Sequence, residues 1–361
     1  MSDPTATPAA ETAFVPGTDP DAGSVAPASS GRLGGRQLII RIVIGIALAA
    51  AAIEIPLYSG STTNKLLAQA LYLAIAAMGL NLLTGFNGQV SIGHGAFFGV
   101  GAYVSGILVN DHGWSFYTTL PAVAVVAFIL GAAFGFPALR VKGLYLALVT
   151  LGFAALVPLI VTKYVKGSGG TTLVQPPLVT TPGFVPYSIV PKGGDDIWRY
   201  YVALMVTVVL LVLSVNIVRT RVGRAMIAIR DREIAAEAVG VDVARVKILT
   251  FALSTAYAGL AGAVSVMIDG VAQSGQLLYF QLSIQFLVAV VVGGAATLSG
   301  PIVGAFVVVL LQDQIKKHSS NEVLSPALFG GALIGLMYFL PDGLVGGARR
   351  LTRRLRPRPS T

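Results

Sequence analysis

The feature that most constrains the fold is a succession of apolar segments, each about long enough to cross a lipid bilayer. A membrane-spanning helix needs about 20 predominantly apolar residues. In lipid, every backbone polar group must find a partner inside the segment, as it does in a helix. The sequence therefore predicts an all-α polytopic membrane protein with about ten transmembrane helices. These lie at about 38–58, 66–84, 90–109, 118–136, 144–163, 200–218, 248–268, 279–295, 298–313 and 326–345.

Composition supports the same class and excludes others. Of 361 residues, 55% are apolar and only 11% are charged, whereas a soluble protein carries roughly a quarter charged residues. The chain has no cysteine, which excludes disulfides and thiolate metal sites. Its three histidines, His94, His112 and His318, are too far apart to form a spaced metal cluster. We therefore expect no metal and no other cofactor.

The basic residues indicate how the chain is oriented in the membrane. The net charge of +9 comes mostly from loop arginines that flank apolar segments. Nucleic-acid binding explains this poorly because the charges form no continuous soluble face, whereas cytoplasmic loops of membrane proteins are rich in Lys and Arg. Arg140 and Lys142 follow the fourth segment, the loop at 219–247 follows the sixth, and an arginine-rich tail follows the tenth. This parity places both termini in the cytoplasm, with Lys163, Lys166, Lys316 and Lys317 as minority exceptions outside.

Three regions follow from these patterns. Residues 1–36, rich in Pro, Ala, Ser, Thr, Gly and Asp, are expected to form a disordered cytoplasmic tail. Residues 37–347 form the transmembrane domain, and 348–361 form a basic cytoplasmic tail. Glycines and a proline interrupt 279–313, which is either two full spans or a re-entrant pair. The re-entrant alternative lowers the number of transmembrane helices to eight.

The loop Arg219–Lys247 is the one long polar interruption deep in the apolar sequence. It carries seven basic and four acidic residues, a net charge of +3. Asp231 is expected to cap a short helix with Glu233 in its first turn, Gly240 to follow its end, and Asp242 to cap the next helix. The short helix is amphipathic, with Ile234, Ala235, Ala238 and Val239 on one face and Arg232, Glu233 and Glu237 on the other. We interpret it as a docking helix; the alternative is a solvated, positive-inside loop.

A glycine-rich stretch, Thr84–Gly106, is the strongest signal in the first half of the chain. Small residues allow close helix packing in membranes, and Gly93 and Gly99 are the positions expected to need it. Its polar side chains, Asn87, Gln89, Ser91 and His94, cluster at one end. Such groups need partners or a water-filled cavity in lipid. The stretch therefore predicts either a translocation path or gate, or a tightly packed helix start.

These landmarks resemble those of the LivM-type permeases of branched-chain amino acid ABC importers. The loop string from Arg221 to Lys247 is similar to that branch, and its Ala-Ala-x3-Gly part, ending at Gly240, resembles the coupling loop of importer permeases. Ile234 stands where the wider family has Glu, and no Leu-Pro follows Ile248. Further similarity lies in the stretch Thr84–Gly106, in Leu139–Val157, in Val291–Phe306 and in Phe339–Gly347. In order, the matches cover about residues 66 to 347.

The resemblance implies a function and a set of partners. It implies a permease subunit of the bacterial cytoplasmic (inner) membrane, without an ATPase site of its own. The implied partners are a LivH-type permease, two ABC ATPase subunits and an extracytoplasmic binding protein. Candidate coupling residues are Arg224, Arg232, Glu233, Ile234, Glu237, Gly240 and Asp242. The implied substrate is a branched-chain or other apolar amino acid, although urea and short-amide permeases share these landmarks.

Other function classes stay open at this level. An ion-coupled secondary transporter or a channel is the main alternative, but no acidic residue falls at a clear midplane position, as such carriers usually require. A non-transporting membrane scaffold is disfavoured by the polar, glycine-rich helix starts. The chain lacks a G-x-x-x-x-G-K-[ST] loop, and it has no nucleophile–base pair that suggests catalysis.

The charge parity yields the first prediction. Reporter fusions at residue 231 and at residue 355 should both give the cytoplasmic signal, because an even number of spans separates these positions. A fusion in the loop at 164–199 should give the opposite signal and serves as the control. Opposite signals at 231 and 355 would contradict the topology.

Overall fold

The structure is a computed structural model, and it describes residues 50–138, 144–164, 172–173, 195–272, 276–318, 324–340 and 343–347. The predicted tails at 1–36 and 348–361, the basic pair Arg140 and Lys142, and most of the loop at 164–199 lie outside the described residues. The predicted first span is described only from residue 50, and residues 50–58 are helical.

Helices make up nearly all of the described chain, which confirms the predicted all-α class. They are α1 Ser61–Leu80, α2 His94–Asn110, α3 Phe116–Ala138, α4 Leu144–Tyr164, α5 Asp195–Arg219, α6 Arg221–Asp231, α7 Glu233–Ala238, α8 Val243–Asp269, α9 Gln276–Gly293, α10 Gly300–His318 and α11 Leu324–Phe339. Two-residue strands, β1 Thr172–Leu173 and β2 Val271–Ala272, pair antiparallel.

Five described helices are long and apolar enough to cross a membrane. They are Ser61–Phe86, Phe116–Phe136, Asp195–Arg219, Val243–Asp269 and Ala327–Gly347. Shorter apolar helices occupy Ala147–Val157 and Tyr279–Gly293. The chain is therefore a multi-pass membrane protein by length and composition, as the sequence predicts.

Two predicted segments differ from the structure in their ends. The segment predicted at 66–84 begins earlier, at Ser61, and continues beyond Leu80 as a π-helical turn, Asn81–Phe86. The segment predicted at 90–109 begins only at His94, because Gly88 takes a positive φ of 74° and the chain turns there. Hydropathy alone does not show these ends because the polar and glycine residues between them belong to a partly buried turn.

Helix α8 lies at the centre of the bundle, packed against α1, α2 and α3. Its most apolar 18-residue window is 89% buried, whereas the equivalent windows of α3 and α5 are only 28% buried. Large apolar side chains such as Ile129 on α3 and Met205 on α5 stay exposed. In a membrane protein such side chains face lipid, because lipid tails are as apolar as the helix interior.

Glycines let the central helices approach each other backbone to backbone. A Cβ at Gly101 would overlap the backbone of Gly259, and one at Gly262 would overlap the carbonyl of Phe98. These pairs join α2 to α8. The glycines therefore set the separation of the two helices, as expected for membrane helices packed through small residues.

Gly93 and Gly99 both occupy such contacts. A Cβ on Gly93 would overlap the backbone of Thr150 in α4, and one on Gly99 would overlap the ring of Tyr279 in α9. The close approach predicted for both glycines is therefore present.

The second prediction tests this packing. Gly93→Leu or Gly99→Leu should lower the thermal stability of the solubilised protein, since overpacking costs typically 1–3 kcal/mol. Gly152→Leu on α4 is the matched control, because nothing lies within 4 Å of a Cβ there. Fluorescence-detected size-exclusion chromatography after heating measures the midpoint temperature of unfolding of each variant. Equal midpoints for all three variants would contradict the packing.

Candidate functional site

The polar segment Arg219–Lys247 is folded, as the sequence predicts, into two short helices before α8. Helix α6 is amphipathic and buries Gly223, Met226 and Ile229 while its basic residues stay on the other face. The predicted coupling residue Arg224 is exposed and donates from Nη1 to the Arg219 carbonyl at 3.2 Å. Its contact is therefore local, and its guanidinium lies on the outer face of the segment.

The start of α7 corrects one prediction. Asp231 does not cap α7, because α6 continues through Asp231, which pairs with Arg230 at 2.9 Å. Arg232 is instead the extended residue between the helices (φ −154°, ψ 98°), and it makes no side-chain cap. Glu233 does lie in the first turn of α7. It also forms an ion pair with Lys247 at 2.8 Å, which ties α7 to the base of α8.

The end of α7 confirms the prediction for Gly240. Its φ of 85° lies in the left-handed region that favours glycine. The Gly240 N–H donates to the Glu237 carbonyl at 2.9 Å, and the Val241 N–H donates to the Ala236 carbonyl at 3.1 Å. This pair of bonds is a Schellman ending. The chain then turns into α8.

Asp242 also takes its predicted role. Its Oδ1 accepts from the backbone N–H of Arg245 at 3.0 Å, which caps α8. Both ends of the α7–α8 connection are therefore fixed by local hydrogen bonds.

Helix α7 exposes its apolar side chains instead of burying them. Ala236 is the buried residue of the helix, at 3% exposure. Ile234 is 84% exposed and Val239 is 80% exposed, and Ala235, Glu237 and Ala238 are exposed as well. Ile234, Ala235, Ala238 and Val239 thus form an apolar patch that does not pack on the rest of the described chain. The role of this face in docking stays a prediction.

Sequence reasoning missed a link from this segment to α1. The Arg230 guanidinium donates from Nη1 to the Gly85 carbonyl at 3.1 Å. A Cβ on Gly88 would lie 3.0 Å from Arg230 Cγ, so Gly88 leaves room for the arginine stem. Arg230 therefore joins α6 to the π-helical turn at the end of α1. One arginine among six in the loop gives no sequence signal for this role.

The π-helical turn is in turn bonded to the connection between α9 and α10. Asn81 Nδ2 donates to the Thr297 carbonyl, and Asn81 Oδ1 accepts from the Ala296 N–H, both at 2.9 Å. Ala296 has a positive φ of 58°, which is uncommon for a residue with a Cβ. Single π turns of this kind occur frequently at functional sites. An Asn within an apolar span is the signal that points to Asn81.

The predicted path or gate residues fall in a packed region. Ser91 and His94 are fully buried, Asn87 is 2% exposed, and Gln89 is half-buried. Neither side-chain amide atom of Asn87 has a hydrogen-bond partner among the described residues. The predicted role of these residues in a path or gate stays a prediction.

His94 joins three helices through one chain of hydrogen bonds. Ser254 Oγ donates to the Gly79 carbonyl at 2.6 Å and lies 2.6 Å from His94 Nε2. Because the hydroxyl hydrogen is already used, His94 Nε2 must be the donor to Ser254. His94 Nδ1 then accepts from Ser91 Oγ at 2.9 Å. The ring is a satisfied neutral group that connects α2 to α8 and α1.

The fold defines an all-α, multi-pass membrane protein with a folded polar segment at one end of its helices. A family model described as "Branched-chain amino acid transport system / permease component" matches residues 62–340. The chain belongs to this family of permeases.

Curated relatives agree with the family match. The chain is 30% identical to the LivM permease protein of Escherichia coli K12 over 83% of this chain and 74% of that protein. It is 31% identical to LivM of Salmonella typhimurium, over 75% of this chain and 67% of that protein. It is 24% identical to LivH of E. coli K12, over 76% of this chain and 91% of that protein. No solved structure matches the chain. The resemblance to LivM-type permeases seen in the sequence is confirmed.

The third prediction concerns the Arg230 link. Arg230→Met keeps most of the apolar stem but removes the bond to Gly85, and a hydrogen bond that involves a charged group contributes about 1.5–3 kcal/mol. Amide hydrogen exchange over 221–238 should therefore become faster. Asp231→Asn is the matched control, because it weakens the ion pair with Arg230 and leaves the Gly85 bond. Unchanged exchange in Arg230→Met would show that the link does not hold the segment.

Proposed function

We propose that this chain is the LivM-type permease subunit of an ATP-driven importer of branched-chain amino acids. It forms the translocation path together with a LivH-type permease in the bacterial cytoplasmic membrane. Two cytoplasmic ATPase subunits and an extracytoplasmic binding protein complete the transporter. The names of the relatives and the family support this assignment. The chain has no ATPase site of its own in this proposal.

The observation that carries the proposal is the exposed patch on α7. An isolated six-residue helix is not stable in water, and this one is held by the Schellman ending at Gly240 and the Glu233–Lys247 ion pair. A fixed helix that exposes Ile234 and Val239 suits insertion into a groove of a partner. Glu237 and Arg232, both exposed, lie beside the patch for polar contacts. The proposed partner is the ATPase subunit.

The path from the ATPase to the membrane follows from the contacts of α6. A push on α7 is transmitted to α6, and Arg230 passes it to the Gly85 carbonyl. Asn81 then connects the π-helical turn to residues 296 and 297 between α9 and α10. ATP binding would thereby shift α1, α9 and α10 together, which changes access to the path between them.

The fourth prediction tests docking. Ile234→Asp places a charge at the centre of the patch and should abolish co-purification of the ATPase and amino-acid-stimulated ATP hydrolysis in proteoliposomes. The physical reason is that a buried, unpaired carboxylate costs several kcal/mol. The permease itself should still insert and pair with its LivH-type partner, because Ile234 is 84% exposed and its side chain is not part of the described core.

Ala244→Asp is the matched control, since Ala244 is exposed in the same segment but lies outside α7. It should leave ATPase attachment unchanged. Gly240→Val is a second variant that leaves the patch intact and disturbs the direction of α7, because a left-handed conformation costs a β-branched residue roughly 1 kcal/mol or more. If Ile234→Asp and Gly240→Val both retain ATPase and coupled uptake, α7 is a solvated connector. Uptake driven by an ion gradient without ATPase would favour the secondary transporter.

A further inference from the structure

A polar cavity lies between α1, α9 and α10, far from the docking segment. Its volume is about 230 Å³. Gln69 on α1 lines it, and its Nε2 donates to Asp269 Oδ1 at 3.0 Å. Asp269 ends α8, whose first residue follows the docking segment, so a helix of 27 residues, or about 40 Å, separates the two. The cavity therefore opens in the half of the membrane domain opposite α7.

The cavity presents charges of both signs. Asp313 lines it with a carboxylate that is 21% exposed and forms an ion pair with Lys317 at 2.6 Å. Lys316, three residues from Asp313 on α10, also lines it and is exposed. Lys316 forms no ion pair with any described residue. A carboxylate and a free ammonium at one cavity complement a zwitterion.

Two further side chains in the cavity have unused hydrogen-bonding groups. Gln285 on α9 and Gln312 on α10 are half-buried, and neither amide has a hydrogen-bond partner among the described residues. Gln285 lies eight residues, about 12 Å, from the Gly293 end of α9, well inside the helix. Polar groups at such depth face a cavity and mark substrate pathways. They contrast with His94, whose ring nitrogens are both satisfied.

The rest of the wall consists of the side chain of Tyr72 on α1 and of aliphatic side chains. Leu66 and Leu73 on α1 and Val309 on α10 line it. The volume is below the roughly 300–1,000 Å³ of pockets for drug-sized ligands. The cavity thus suits a small solute with one apolar end and a charged, hydrogen-bonding end.

We propose that this cavity binds an apolar α-amino acid as a zwitterion on its way through the permease. Asp313 receives the α-ammonium, Lys316 and the amides of Gln285 and Gln312 receive the α-carboxylate, and the aliphatic wall receives the side chain. The inference rests on the proposed function and adds the residues and the charge state that select the substrate. The transmission path through Asn81 ends on α9 and α10, which form two sides of this cavity.

The test uses the absence of cysteine from the chain. Gln312→Cys places a single thiol of this chain in the cavity, and Gln285→Cys is the second position should the first not assemble. Because either cysteine removes one proposed amide contact, leucine is used at about ten times the dissociation constant measured for that cysteine variant. In the assembled transporter it should then slow labelling by a small methanethiosulfonate about tenfold. Isopentylamine, which lacks the carboxylate, and 4-methylpentanoate, which lacks the ammonium, should not protect. Gln314→Cys is the matched control. This residue is exposed on α10, about 200° around the helix axis from Gln312, so leucine should not protect it.

A second pair of variants tests the ammonium site. Adding Asp313→Asn to Gln312→Cys should abolish protection by leucine. Adding Lys317→Gln to Gln312→Cys should leave the protection by leucine in place, because this change removes the ion pair with Asp313 and keeps the Asp313 carboxylate. Equal protection by all three compounds, or none by leucine, would overturn the cavity assignment. ATP-driven uptake by the parent transporter is measured alongside. Uptake without protection refutes only this inference, whereas failure of ATP-driven leucine uptake refutes the proposed function.

Discussion

Backbone-to-backbone contact around α8 is the constraint on which the rest of the structure depends. Burial in lipid gives helices little hydrophobic reason to associate, so close packing and hydrogen bonds must hold them. Gly101 and Gly262 supply that contact between α2 and α8. His94 adds a hydrogen-bonded bridge to Ser254 and through it to Gly79 on α1. Direct backbone contact and hydrogen bonds thus join the three central helices where they meet.

The backbone is irregular at one end of the helix bundle. The π-helical turn Asn81–Phe86 and the positive φ of Ala296 lie where α1 meets the connection of α9 and α10. Asn81 bonds both chain segments, and Arg230 bonds the turn to α6. Non-regular backbone is tolerated at membrane depth only where protein surrounds it. In the proposed function, movement of the polar segment reaches α1, α9 and α10 through this junction.

Two sets of polar side chains in the bundle differ in their hydrogen bonding among the described residues. Ser91, His94 and Ser254 use their hydrogen-bonding groups on each other, as a structural connection requires. Gln285 and Gln312 keep theirs unused beside a cavity with charges of both signs. Sequence patterning drew attention to Ser91 and His94, because they lie in a glycine-rich stretch, but not to Ser254. The second group lies on α9 and α10 and faces α1, which is distant from both in sequence, and the functional proposal for this chain places the substrate there.

The sequence by itself determined the all-α membrane class, most spans, and the local endings of the docking segment. These depend on interactions within a few residues: hydropathy over a single helix, the left-handed conformation of Gly240, and the cap at Asp242. The family landmarks were also readable, because they are contiguous strings. Asp231 was misjudged since the end of α6 depends on how Met226 and Ile229 pack. Only the tertiary structure decided that the apolar side chains of α7 stay exposed, that Arg230 reaches Gly85 across 145 positions, and that α1, α9 and α10 enclose one cavity. Those features join residues far apart in the chain, and no local pattern specifies which helices meet.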